Sequence, residues 1–61
     1  MNDVIVRNET GDNVVEVIAN SEKARSFFYT MFGVFSFKVD AAAEEDLYRA
    51  FDHEGLTFET A

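Results

Sequence analysis

The sequence contains no cysteine and no proline, and His53 is its only histidine. Without cysteine no disulfide can form. The usual zinc sites are excluded as well, because they need several cysteine or histidine ligands. We therefore expect a fold that requires no metal and no other cofactor, although a chain of 61 residues buries only about 60% of its unfolded surface. The lack of cysteine also agrees with a reducing compartment.

Long apolar runs and low-complexity segments are missing as well. No stretch approaches the roughly 20 apolar residues that cross a bilayer, and the first residues lack the basic region and apolar run of a signal peptide. The sequence therefore predicts one domain over residues 1–61 that lies in the cytoplasm and does not engage a membrane.

Aromatic residues are abundant instead. Seven phenylalanines and two tyrosines stand in a chain that is 48% apolar, and each buried aromatic side chain removes roughly 150–250 Å² from water. A few such side chains can fill a small core. Nine aromatic rings are nevertheless difficult to bury within so short a chain. We therefore expect either a monomer or a homodimer, and a homodimer would cover the rings that remain exposed.

The first third of the chain predicts a β-hairpin. Residues 3–8 and 14–19 are rich in valine and isoleucine, which favours strands, and the glycine and Asx residues between them suit a tight turn. A second interpretation stays open, because several residues also lie at helical spacing and permit one kinked helix over residues 13–32. These are Val14, Val17, Ile18 and Ser21.

Ser21 predicts the N-cap of a helix over about residues 22–32, and Gly33 is placed to end it in the left-handed conformation. Apolar residues at positions i, i+3, i+4 and i+7 define its expected buried stripe, which consists of Ala24, Phe27, Phe28 and Met31.

A strand over residues 34–39 and a second helix follow. Alternation predicts that one face of this strand is buried, namely that of Phe35, Phe37 and Val39. Asp40 is the expected cap of a helix that runs to about Glu54. The side chains expected to face inward from this helix are Ala43, Leu47, Ala50 and Phe51. Gly55 is expected to end this helix. Residues 56–58 then begin a short last strand.

These elements have the order ββαβαβ, which predicts an α+β fold: a two-layer sandwich with two helices on one face of a short sheet. The core is expected to contain Phe27, Phe28, Phe37, Leu47 and Phe51.

The acidic residues are concentrated in the last third of the chain. Residues 40–61 contain seven acidic residues against Arg49 alone, a balance of −6, whereas residues 1–39 contain five acidic and four basic residues, a balance of −1. Direct nucleic-acid binding is disfavoured, because this charge repels a phosphate backbone.

Helical geometry predicts the direction in which each of these carboxylates points. With Leu47 facing the core, Glu45 and Asp52 point outward and Glu44 and Asp46 lie on the flanks. Arg49 is expected to pair with Glu45 and Asp46. Successive turns separate the carboxylates by about 5–6 Å, a spacing that a basic groove can accept in place of phosphates. The alternative is that these charges only keep the protein in solution.

Tyr29 and Tyr48 point away from the predicted buried stripes. Exposed tyrosines are enriched in binding hot spots, so both are candidate partner contacts; the alternative places each ring along the edge of the core with its hydroxyl in water. The candidate partner-binding residues on and around the second helix are Asp40, Glu44, Glu45, Asp46, Tyr48, Asp52 and Glu54.

Nothing in the sequence indicates an enzyme. The chain leaves little room for a pocket with converging polar groups, and no nucleophile elbow, phosphate-binding loop or EF-hand spacing occurs. His53 is interpreted as a cation near the negative end of the helix dipole. We therefore expect a binding protein without catalytic residues.

With Asp40–Asp46, Asp52 and Glu54 in view, the chain resembles the small acidic anti-CRISPR proteins of phages and other mobile elements, and it is most similar to an inhibitor of the type I-C system. The resemblance covers the full length. It implies a DNA mimic in the host cytoplasm that blocks target DNA binding by a type I surveillance complex, with no catalytic residues.

A different class of function is also open: a small interaction or antitoxin-like module that binds a protein through apolar surface, as a monomer or as a homodimer. Salt separates the two, because charge-driven binding weakens with added salt while apolar binding hardly changes.

Overall fold

A computed structural model describes residues 2–8 and 13–60. Its elements, in order, are β1 (Val4–Asn8), β2 (Val14–Ala19), α1 (Glu22–Phe32), β3 (Ser36–Asp40), a 3₁₀ turn (Ala41–Ala43), α2 (Glu44–His53) and β4 (Phe58–Thr60). The α+β class and the order ββαβαβ are confirmed. The alternative of one helix over residues 13–32 is wrong, because residues 14–19 form β2; the expected hairpin turn lies largely outside the described residues.

The four strands form one mixed sheet in the order β3-β2-β1-β4. β1 is antiparallel to β2 and β2 to β3, whereas β1 and β4 are parallel, with Val4 opposite Phe58. β3 and β4 are therefore the edges. Because side chains alternate along a strand, Val4 and Val6 face the helices, while Ile5 lies opposite Ile18 on the other face.

The core lies between this sheet and the two helices. Its buried members are Val4, Val6, Val15, Val17, Ala24, Phe28, Phe51 and Leu56. Burying a valine or a phenylalanine contributes roughly 1.5–3 kcal/mol, so the four strand valines contribute much of the stability. Phe28 joins the layers, since its ring centroid lies 5.5 Å from that of Phe37 in β3 and 6.0 Å from that of Phe51 in α2.

The expected core was correct at Phe28 and Phe51 and only in part elsewhere. Phe27, Phe37 and Leu47 are half-buried and pack against the core from its rim. The strand valines occupy the centre instead, because strand alternation directs all four toward the covered face.

Three residues expected to be buried are exposed: Met31, Phe35 and Ala50. Met31 lies in the last turn of α1, where the core no longer reaches it. Phe35 precedes β3, and its ring stacks on Tyr29 instead of entering the core. Ala50 lies beside the narrow stripe that α2 buries through Phe51.

The helix ends follow the expected chemistry. The hydroxyl of Ser21 accepts a hydrogen bond from the Ala24 amide at 3.0 Å, and Gly33 ends α1 at φ +74° with its amide donating to the Tyr29 carbonyl at 3.0 Å. The Asp40 carboxylate accepts from the Ala42 amide at 2.9 Å. Asp40 thus caps a 3₁₀ turn that leads into α2, and the expectation that it caps α2 directly is corrected.

The last segment differs in detail from its expectation. Gly55, at φ +74°, follows α2, but Leu56 is a buried core residue and β4 begins only at Phe58. Among the residues that the structure describes, neither helix has the length and apolar character needed to cross a membrane.

Candidate functional site

α2 presents most of the acidic candidates. Phe51 is buried and Leu47 is half-buried, and this fixes the rotation of the helix about its axis. The opposite side therefore points to water, and it carries Glu45, Asp46 and Asp52. We call these three carboxylates, which lie on the exposed side of α2, the acidic face.

Arg49 lies within the acidic face and pairs with two of its members. Its Nη1 is 3.2 Å from Oδ1 of Asp46, and its Nη2 is 3.9 Å from Oε2 of Glu45. These pairs confirm the expectation from helical spacing. All three side chains are at least 75% exposed, so solvent screens the pairs and each contributes at most about 1 kcal/mol. Arg49 nevertheless offsets part of the local negative charge.

The carboxylate of Asp52 makes no hydrogen bond or ion pair with any of residues 2–8 and 13–60. It lies seven residues after Glu45 on the same side of the helix, about 10 Å along the axis. The acidic face therefore has one end whose charge Arg49 offsets in part, at Glu45 and Asp46, and one end where no cation pairs with the carboxylate among the described residues, at Asp52.

Asp40 and Glu54 lie at the two ends of α2 and do not join the acidic face. Asp40 is exposed and engaged in capping the 3₁₀ turn. Glu54 is exposed and follows the last residue of α2, where its amide donates to the Ala50 carbonyl at 3.1 Å. They extend the negative charge along the helix axis beyond its termini.

Glu44 lies on the flank of α2, where it is half-buried and accepts a hydrogen bond from the hydroxyl of Tyr48. The Tyr48 ring stacks on Phe58, with centroids 4.4 Å apart and planes 3° from parallel. Of the two interpretations of Tyr48, the one that places its ring along the edge of the core is therefore confirmed, while its hydroxyl donates to Glu44. Burial, the hydrogen bond to Glu44 and the charge of Glu44 raise the pKa of Tyr48 to about 12.

The acidic face is a convex helix surface and not a pocket. Among the described residues, no group of three or more His, Asp and Glu side chains is arranged to hold a metal ion. A hollow of about 380 Å³ lies elsewhere, against α1, and its lining contains no residue of α2. The acidic face can therefore present fixed negative charges to a positively charged surface.

A second feature was mostly missed from the sequence. Large apolar residues at the end of α1 and in the connection to β3 are exposed, namely Tyr29, Met31, Phe32, Val34 and Phe35. Only Tyr29 was expected to point outward. The excess of aromatic residues over the size of the core was the one signal that could indicate such a surface.

Comparison with protein-family models, with curated proteins and with solved structures finds no match to this chain.

Proposed function

We propose that this protein binds and inhibits a nucleic-acid-binding partner by covering the partner's basic groove with the acidic face. One observation carries the proposal: Glu45, Asp46 and Asp52 lie exposed on one side of a single helix. Residues 1–39, by contrast, have a balance of only −1. The negative field of the protein therefore arises mainly from α2 and its ends.

The way α2 is anchored supports this role. Phe51 is buried against Phe28, and the stack of Tyr48 on Phe58 holds the side of the helix. Carboxylates on a helix fixed in this way lose little backbone freedom on binding, which lowers the entropy cost of association. Complementary charge also accelerates encounter with a basic groove and orients the complex.

The first partner to test is a type I CRISPR surveillance complex, because the sequence resembles small acidic anti-CRISPR proteins. CRISPR effector complexes hold nucleic acid in positively charged channels. An acidic helix that occupies such a channel excludes target DNA by competition, and this mode of inhibition needs no catalytic residue.

The test measures DNA binding by a purified type I surveillance complex at rising concentrations of the protein. The wild type is expected to displace DNA, with an apparent affinity that falls as salt rises. Asp52→Lys is expected to weaken the inhibition. Glu59→Lys is the matched control, since Glu59 is an exposed β4 carboxylate outside α2 and the substitution changes the net charge equally.

Equal inhibition by the wild type and Asp52→Lys contradicts the proposal, as does equal weakening by Asp52→Lys and Glu59→Lys. The second result assigns the effect to net charge and not to the acidic face. Circular dichroism of each variant confirms that the fold is retained, because exposed substitutions usually change the free energy of unfolding by less than about 0.5 kcal/mol.

A further inference from the structure

The buried side of α1 continues past the point where the core ends. Ala24 and Phe28 are buried, and Met31 follows at i+7 from Ala24 on the same side of the helix, yet Met31 is exposed. Phe32, four residues after Phe28, contacts the rings of Phe28 and Phe37 and is also exposed. The last turn of α1 therefore presents a core-like side that stays partly exposed in the part of the chain that the structure describes.

The connection to β3 enlarges this surface. Val34 and Phe35 are exposed next to the end of α1, and Tyr29, Met31 and Phe32 are exposed around its last turn; we call these five residues, which surround the C-terminal end of α1, the aromatic corner. The exposed fractions of the five residues lie between 43% and 62%. At about 200 Å² for a large side chain, the aromatic corner leaves on the order of 500 Å² of apolar surface in water.

This area matches what a stable homodimer needs. An interface of standard size buries about 800 Å² on each partner, and the apolar share in homodimers is about 65%. The aromatic corner alone therefore supplies about the apolar part of one side of such an interface.

Contacts among its own side chains hold part of the aromatic corner in place. The rings of Tyr29 and Phe35 stack with centroids 5.6 Å apart, and the guanidinium of Arg25 lies 5.0 Å from the centre of the Phe35 ring. Side chains ordered in this way lose less conformational entropy on association. The aromatic corner is therefore partly preorganised for binding.

Opposite charges border the aromatic corner. Glu22 and Arg25 both line the hollow beside Tyr29 and Phe35. A partner of a single charge sign would oppose one of these two residues with a like charge. A second copy related by a twofold axis can instead place its Arg25 against the first Glu22 and its Glu22 against the first Arg25.

We propose that two copies of this chain associate through the aromatic corner about a twofold axis. The contact lies in the part of the chain that is close to neutral, so two molecules of net charge −7 meet where their repulsion is weakest. The dimer carries two acidic faces, and its existence does not depend on the proposed function.

Sedimentation velocity over a range of protein concentrations tests the dimer. The wild type is expected to sediment at twice its monomer mass of 6.9 kDa, with little change between low and high salt because the contact is mainly apolar. Met31→Lys is expected to raise the dissociation constant more than about tenfold. Ala50→Lys is the control, since it adds the same charge at an exposed apolar position outside the aromatic corner.

A charge exchange tests the twofold arrangement. Glu22→Arg and Arg25→Glu are each expected to weaken self-association, because each places like charges opposite one another across the interface. Mixing the two variants is expected to restore dimers of one copy of each. In such a mixed dimer the two substituted side chains face one another with opposite charges, and the native Arg25 of one copy meets the native Glu22 of the other.

A wild type that stays monomeric at about millimolar concentration overturns the proposal. Undiminished dimerisation of Met31→Lys, or a mixture of the two charge variants that fails to associate, overturns it as well. A monomeric wild type whose Met31→Lys variant loses binding to another protein assigns the aromatic corner to that protein and also overturns it. A monomer that still displaces DNA leaves the proposed function standing, and a dimer that does not displace DNA contradicts the proposed function alone.

Discussion

Asp3 and Thr57 are 54 positions apart in the chain and are joined by three hydrogen bonds. The Asp3 amide donates to the Thr57 hydroxyl at 3.0 Å, while the Thr57 amide and hydroxyl donate to Oδ2 of Asp3 at 2.9 and 3.0 Å. The other carboxylate oxygen of Asp3 accepts from the hydroxyl of Ser21 at 2.7 Å. One side chain therefore connects the start of β1 with the cap of α1 and the entry to β4.

Asp3→Asn is expected to lower the thermal midpoint of unfolding. An amide keeps the shape of the carboxylate, but it cannot accept from both Thr57 groups and from Ser21 with the strength of a charged acceptor. Asp52→Asn is the control, because the Asp52 carboxylate has no such contacts among the described residues. Equal midpoints for Asp3→Asn and Asp52→Asn would show that the Asp3 contacts contribute nothing.

The stabilising effect of Asp3 should depend on pH. The hydrogen bond from the Thr57 amide, followed by that from the Ser21 hydroxyl, holds the pKa of Asp3 below its ordinary value of 3.8. A carboxyl whose pKa is lower in the folded state stabilises the fold above its unfolded pKa, and this stabilisation is lost as the pH falls through the folded pKa. The difference in midpoint between the wild type and Asp3→Asn should be constant near neutral pH and shrink below about pH 4.

Phe51→Ala is expected to lower the free energy of unfolding by about 3–5 kcal/mol. The Phe51 ring is buried between Phe28, at 6.0 Å, and Phe58, at 6.2 Å, so its removal leaves a cavity. Phe35→Ala removes the same ring from an exposed site, where the stack on Tyr29 is lost, and is expected to cost about 0.5–1.5 kcal/mol. Urea unfolding of both variants gives the comparison; similar losses would show that the core is not where the structure places it.

Arg49→Gln is expected to strengthen binding to a basic partner. The substitution frees Glu45 and Asp46 from their pairs with Arg49 and so makes the acidic face more negative. Stability should change by less than about 1 kcal/mol, because the pairs are exposed to solvent. Affinity for the partner groove should rise at low salt and converge with that of the wild type at high salt. Weaker binding by Arg49→Gln at low salt would assign Arg49 a direct contact with the partner.

Tyr48 is expected to ionise late in an alkaline absorbance titration. Burial, together with the hydrogen bond to Glu44 and its charge, raises the pKa of Tyr48 to about 12. Glu44→Gln should lower the pKa of Tyr48 while leaving it above its ordinary value of 10.0, since burial is the larger cause. The stability gained from the raised pKa is present below pH 10 and is lost as the pH rises toward 12. An unchanged titration in Glu44→Gln would rule out the contact between these two residues.

Local rules explain what the sequence predicted well. Ser21 and Gly33 bound α1 because each acts on backbone groups within four residues of itself. The valine and isoleucine content of residues 14–19 predicted β2 because the preference for strands belongs to the residues themselves, although the helical spacing of the same segment left a second interpretation open. The pairing of Arg49 with Glu45 and Asp46 also depends only on spacing within one helix.

What the sequence could not determine is where the core ends. Met31 continues the apolar period of α1 and Phe35 that of β3, yet both are exposed because none of the described elements covers them. The inward turn of Tyr48 toward Phe58 depends on β4 lying beside β1, a contact between opposite ends of the chain. The contact of Asp3 with Thr57 has the same origin.

The sequence by itself therefore determined the order of the elements, the caps of α1 and the concentration of negative charge in residues 40–61. Only the tertiary structure decided which apolar residues are covered and which carboxylates remain free. The physical reason is range: caps, periodicity and helical ion pairs act over a few residues, whereas burial depends on elements that are distant in the chain and meet only in the folded protein.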